Sequence, residues 1–214
     1  MQDRHLNLTD KLLAQADSAM RTLFTKAPPV SRPNPGDSCE EAELTEQEQQ
    51  HIGGLMRVNH AGEVSAQGLY QGQALTARLP DVRDKMEQAA IEENDHLAWC
   101  AERLVDVHTH KSWLNPVWYT GSFLIGAVAG AFGDKWSLGF VAETEHQVVR
   151  HLDEHLASLP DQDHKSRAIL EQMKIDENHH ATTALKHGGV ELPPPAKKLM
   201  GLMSRVMTRT AYWV

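Results

Sequence analysis

Apolar residues recur at intervals of three and four over most of the chain, and this 3.6-residue period predicts helices throughout. Four long stripes stand out. Over residues 45–78 the apolar face carries Ile52, Met56, Ala66 and Tyr70, and over 81–106 it carries Met86, Ala89, Ala90, Leu97, Cys100 and Leu104. Over 134–159 it carries Val141, Val148, Val149, Leu152 and Leu156, and over 166–187 Ile169, Leu170, Met173, Ala181 and Ala184. Leu79-Pro80 stops the first helix, and Gly188-Gly189 caps the fourth. Asn115-Pro116 reads as an N-cap and first helical position. It opens a stretch, 117–133, with no charged residue. That is shorter than the roughly 20 residues of a membrane span, and its Gly126-x-x-x-Gly130 permits close helix contact, so a buried or membrane-touching helix is predicted.

Two further amphipathic helices flank the four. One covers 6–24. The other follows Pro193-Pro194-Pro195, with Leu199, Met200, Leu202, Met203, Val206 and Met207 on one face and Lys197, Lys198, Arg205 and Arg209 beside it. Such a helix suits a bilayer interface or packing on the bundle. Residues 26–38 hold four prolines and read as a flexible arm without function. The predicted fold is all-α: an N-terminal helix and Pro-rich linker (1–44), then a four-helix bundle with a C-terminal membrane-associating helix (45–214).

Each long apolar stripe is broken by an acid: Glu63 on the first, Glu93 with His96 at its edge on the second, Glu145 on the third, Glu177 with His180 on the fourth. An unpaired buried charge costs several kcal/mol, on the order of magnitude expected for ionised groups; a metal ion removes the objection. Residues three apart in a helix point the same way. The chain contains two other Glu-x-x-His pairs. Glu48/His51 lies in a capping box opened by Thr45, and Glu143/His146 shares a polar face with Gln147, Arg150 and Glu154 that reads as a solvated ladder. The order Glu, Glu-x-x-His, Glu, Glu-x-x-His is a half-repeat. It is the ligand set of a dinuclear carboxylate bundle. Asp176 and His179 also stand three apart, but the apolar stripe favours Glu177 and His180.

A net charge of −8 argues against nucleic acid as a partner. Cys39 and Cys100 form no metal or redox spacing and read as free thiols of a reducing compartment. The N-terminus carries acids and no apolar core, so it is not read as a signal peptide. No G-x-G-x-x-G follows a strand, so no dinucleotide site is visible.

Arg57-Val-Asn-His-Ala-Gly-Glu-Val64, Glu93-Asn-Asp-His-Leu97, Val141-Ala-Glu-Thr-Glu-His146 and Asp176-Glu-Asn-His-His180 resemble the demethoxyubiquinone hydroxylase family, from about residue 45 to the C-terminus. The resemblance implies a ferritin-like bundle with two irons, dioxygen as co-substrate, and hydroxylation of the demethoxyubiquinol ring in ubiquinone biosynthesis. Its metal ligands fall on Glu63, Glu93, His96, Glu145, Glu177 and His180. Glu93 and Glu177 would bridge, with Glu63 and His96 on one iron and Glu145 and His180 on the other. The implied partners are a polyprenyl quinol, a membrane surface on the cytoplasmic side of the cell membrane, a separate unidentified electron donor, and a homo-oligomer or biosynthetic complex. His60 and His151 are candidates to orient the ligand histidines, and Tyr70 is read chiefly as core. A ferritin-like iron-oxidising or storage protein would use nearly the same ligands. A purely structural bundle would bind no metal.

Overall fold

The computed structural model describes residues 8–24 and 31–214, and the described residues contain helices and no strands. The helices are α1 (Leu8–Phe24), α2 (Glu46–Thr76), α3 (Pro80–Asp106), α4 (Asn115–Ala131), α5 (Asp134–Ser158), α6 (His164–Lys186) and α7 (Pro194–Ala211). Among the described residues between α1 and α2 lies a 3-10 turn, Pro35–Ser38. The predicted start of α1 at residue 6, and residues 26–30 of the arm, lie outside the described residues.

Local chemistry sets the ends. Thr45 Oγ1 accepts from the Glu48 amide while Glu48 Oε2 accepts from the Thr45 amide, which closes the capping box of α2. Asp163 caps α6 through the Ser166 amide at 3.0 Å and also accepts from the buried Arg103 guanidinium. α4 opens one residue earlier than expected, after Leu114. Asn115 does not act as the cap because its side-chain amide is turned inward to His60 Nδ1 at 3.4 Å.

α2, α3, α5 and α6 form the bundle, α2 packing on α3 and α5 on α6. α4 crosses from α3 to α5 along the outside of α2. Their seam is made of small residues: a Cβ on Gly68 or Gly72 of α2 would run into the α4 backbone, and one on Gly126 into the α2 backbone at Leu69. The close contact read from Gly126-x-x-x-Gly130 thus has a matching Gly-x-x-x-Gly on its partner. The other face of α4 is exposed along Val117, Leu124 and Val128, continued by Phe132. Among the described residues no helix is long and apolar enough to cross a membrane.

The core has two apolar layers. One is built on Ile52, Met56, Trp99, Cys100, Leu104, Leu170 and Met173, the other on Ala66, Met86, Leu138, Val141 and Ala184. The four acid-bearing turns lie between them.

The arm departs from expectation. Its described part is not a free tether: Gly36 is buried against Lys165 and Ile169 of α6, Asn34 donates to Glu102 of α3, and Ser31 and Arg32 bond to acids of α3 and α6. Prolines prevent the segment from forming a helix of its own, but its polar side chains find fixed partners in the α3/α6 groove. Glu143 is a second correction. It is buried rather than solvated, because α7 returns over the polar face of α5 and sets Lys197 3.4 Å from its carboxylate, with Gln147 and Arg150 on the other oxygen.

Candidate metal centre

Glu63 comes from α2, Glu93 and His96 from α3, Glu145 from α5, and Glu177 and His180 from α6. All four glutamates are at most 3% exposed. Glu63, Glu93, His96 and Glu177 each offer a ligand atom within 4.8 Å of the others. His180 lies against both Glu93 and Glu177, and Glu145 takes the hydroxyl of Tyr70.

The two glutamates of the Glu-x-x-His motifs face both ways. Glu93 sets Oε2 2.9 Å from His96 Nδ1 and Oε1 3.2 Å from His180 Nδ1. Glu177 sets Oε1 3.2 Å from His96 Nδ1 and Oε2 3.5 Å from His180 Nδ1. Glu63 Oε2 is 3.9 Å from His96 Nδ1. One imidazole proton cannot serve three carboxylate oxygens, and Glu93 Oε1, Glu177 Oε2 and His180 Nδ1 are buried close together without a well-aligned hydrogen bond. Buried polar atoms are ordinarily satisfied. Cations placed between these groups would satisfy them, and carboxylates with imidazoles are a donor set suited to iron.

The outer nitrogens of the histidines are held by two acids. His96 Nε2 lies 2.9 Å from Asp176 on α6, and His180 Nε2 lies 2.8 Å from Glu92 on α3. Each acid immediately precedes the glutamate of one motif and holds the histidine of the other. Fixing the outer nitrogen leaves Nδ1 turned into the cluster, the arrangement that orients a metal-binding imidazole. Sequence reasoning weighed Asp176 only as an alternative ligand and passed over Glu92. The signal was present, since both motifs read acid-Glu-x-x-His. His179 is exposed. His60 pairs with Asn115 and His151 with Ser204, and neither pairs with His96 or His180. Tyr70 is core, as expected, but it also donates its hydroxyl to Glu145 Oε1.

The electrostatics of the metal-free cluster follow from crowding. Burial, then the charge of Glu93, holds the Glu63 carboxyl well above its usual range; burial, then Glu177, does the same to Glu145. Burial would also raise Glu93, but the flanking His96 and His180 outweigh it and hold that carboxyl low. Burial works against protonated imidazole, yet the surrounding carboxylates push His96 well up and His180 to about 12.

Six acid and imidazole side chains converging from four helices between two apolar layers define a ferritin-like bundle with a core cluster suited to hold metal. Among solved structures the chain resembles a dodecameric thioferritin, the bacterioferritin-related protein from Bacteroides fragilis, with a TM-score of 0.55 and 18% identity over 67% of this chain and 85% of that one. That likeness is one of fold alone. The family model described as ubiquinone biosynthesis protein COQ7 matches residues 50–211, and the chain belongs to that family. It is 58% identical over 214 residues, all of both chains, to the 3-demethoxyubiquinol 3-hydroxylase of Nitrosococcus oceani. It is 57% identical over 210 residues, 98% of both chains, to the proteins of that name from Pseudomonas putida and Azotobacter vinelandii.

Proposed function

We propose that this chain is a di-iron monooxygenase that hydroxylates the ring of demethoxyubiquinol, with Glu63, Glu93, His96, Glu145, Glu177 and His180 holding the metal. The observation that carries the reading is the pair of two-faced carboxylates, Glu93 and Glu177, each set between both histidines in a chain alike over its full length to 3-demethoxyubiquinol 3-hydroxylases. Two irons there would supply the reduction of dioxygen, one atom entering a ring C–H bond and the other leaving as water with two protons and two electrons from a separate donor. Glu93 and Glu177 span the two halves, Glu63 and Glu145 close the outer sides, and four carboxylates balance the charge of two ferrous ions. Asp176 and Glu92 keep both Nδ1 atoms aimed inward. The apolar layers on either side exclude bulk water.

The substrate is a polyprenyl quinol that partitions into the bilayer, and we infer a peripheral enzyme on the cytoplasmic side of the membrane. α4, through Trp118, and α7, through Met207 and Ala211, pack at the same α2 patch of Val58 and Ala61. α4 exposes Val117, Leu124 and Val128, and α7 exposes Leu199, Leu202, Met203 and Val206, two apolar faces that suit contact with a bilayer.

Iron content after anaerobic reconstitution, with product analysis on demethoxyubiquinol, tests the reading. Wild type should hold two irons and form the hydroxylated product. Glu177→Ala should lose at least one iron, whereas Glu143→Ala, which breaks only the contacts to Gln147, Arg150 and Lys197, should keep both. Equal iron in the two variants would count against the assignment. Iron uptake and oxidation without product would favour the storage alternative.

A further inference from the structure

The arm reaches the rim of the Glu/His cluster through Ser31 and Arg32. Asp95 accepts from the Ser31 amide and hydroxyl, each at 2.7 Å, and from Arg32 Nε at 2.8 Å. Arg32 Nη1 reaches Asp176 Oδ2 at 2.8 Å, the same oxygen that holds His96 Nε2. The guanidinium lies 5.0 Å over the Trp99 ring, itself 5.4 Å from the His96 ring. One side chain therefore ties α3 to α6 across the rim of the cluster. The other half has a different support: Glu92, which holds His180, takes its second bond from Gln88 of its own helix, and its side chain is 42% exposed against 16% for Asp176. The two halves match in chemistry and differ in how firmly they are held.

We infer that Arg32 is a positioning residue for the metal centre, which through Asp176 fixes the His96 ring and makes the Glu63/His96 half the slower to release its metal. The inference rests on the two-iron reading above. Arg32 lies outside the residues that match the family model, so the arm adds a control on metal retention to the bundle. The chemistry requires arginine. A planar fork can meet two carboxylates on different helices while stacking on an aromatic face, and a lysine ammonium cannot. Without the fork, Asp176 keeps only Gln172 and His96 and is free to rotate off the imidazole.

The test is the rate at which a ferrous chelator extracts iron from anaerobically reconstituted full-length protein, with Mössbauer spectra of the same samples. Wild type should lose iron in two phases. Arg32→Ala should speed the slow phase about 10- to 100-fold, the usual cost of removing an outer support of a metal ligand, and should alter one of the two iron signals. Arg32→Lys should not restore the slow phase, whereas added ethylguanidinium should restore it to Arg32→Ala. Should Arg32→Ala unfold, Arg32→Gln, which keeps the stem over Trp99 but not the fork, carries the same expectation. An unchanged slow phase, or equal acceleration of both phases, would overturn the inference while leaving two bound irons intact. Wild type that binds no iron would remove the two-iron reading and this inference with it.

Discussion

Tyr70→Phe removes one oxygen atom from the core and leaves the packing of the ring in place. The Tyr70 hydroxyl donates to Glu145 Oε1, and both side chains are buried completely or nearly so, at 0% and 1% exposure. Burial, then the charge of Glu145, holds the phenol well above its usual range, so it remains a donor at any working pH. In the metal-free protein burial holds the Glu145 carboxyl above its usual range, and a hydroxyl bond to a neutral carboxyl contributes about 1 kcal/mol. With metal bound the carboxylate is charged, and the same bond contributes about 1.5–3 kcal/mol. The variant should therefore lose about 1 kcal/mol of metal-free stability. It should bind ferrous ion more weakly by the difference, about 0.5–2 kcal/mol, or roughly 2- to 30-fold at 1.36 kcal/mol per decade. Urea unfolding of the metal-free protein gives the first quantity, and competition with a chelator of known affinity gives the second. Equal metal affinity in the two proteins would refute the argument that the hydroxyl holds Glu145 as a ligand.

His155 is buried with Nδ1 2.9 Å from Asn59 Oδ1, and burial, then the charges of His151 and His51, lowers its pKa to about 4. The unfolded chain takes up a proton near pH 6.5 and the folded one does not, so stability present above pH 6.5 is lost as pH falls toward 4. Between pH 7 and pH 5 this amounts to about 2 kcal/mol; urea unfolding of His155→Gln should show that much less pH dependence than wild type, and parallel curves would contradict it. On the exposed face of α7, Leu202→Asp with Met203→Asp should keep iron and helicity yet lose binding to anionic liposomes and activity on long-chain substrate. Lys198, Arg205 and Arg209 should make wild-type binding weaken with salt, at roughly 1 kcal/mol per basic residue near the surface. Unchanged liposome binding in the double variant would return α7 to a packed terminal helix.

The long helices could be read from periodicity to within a few residues, because each buries one continuous stripe and ends at a Pro, Gly or capping signal. The six candidate ligands could be read for a related reason, since an acid at a stripe position has few stable explanations. What escaped were contacts made by residues far apart in the chain. Glu143 occupies a polar position on α5, and only the return of α7 with Lys197 buries it. Ser31 and Arg32 sit among prolines with no periodic signal, and their partners Asp95 and Asp176 are more than sixty residues away. Asp176 and Glu92 were within reach, because each precedes a motif glutamate, but that each serves the opposite histidine depends on how α3 and α6 face one another.

The seam between α2 and α4 divides one helix into two mutational alphabets. On the inner side, Gly126 sits where even the first carbon of a side chain meets the Leu69 backbone, so alanine already forces the helices apart. On the outer side, Val117, Leu124 and Val128 touch little and can exchange with other apolar residues. Divergent copies of this chain should therefore drift freely in the composition of the exposed stripe, while the angle at which that stripe is presented stays fixed by the hydrogen atoms of the seam glycines.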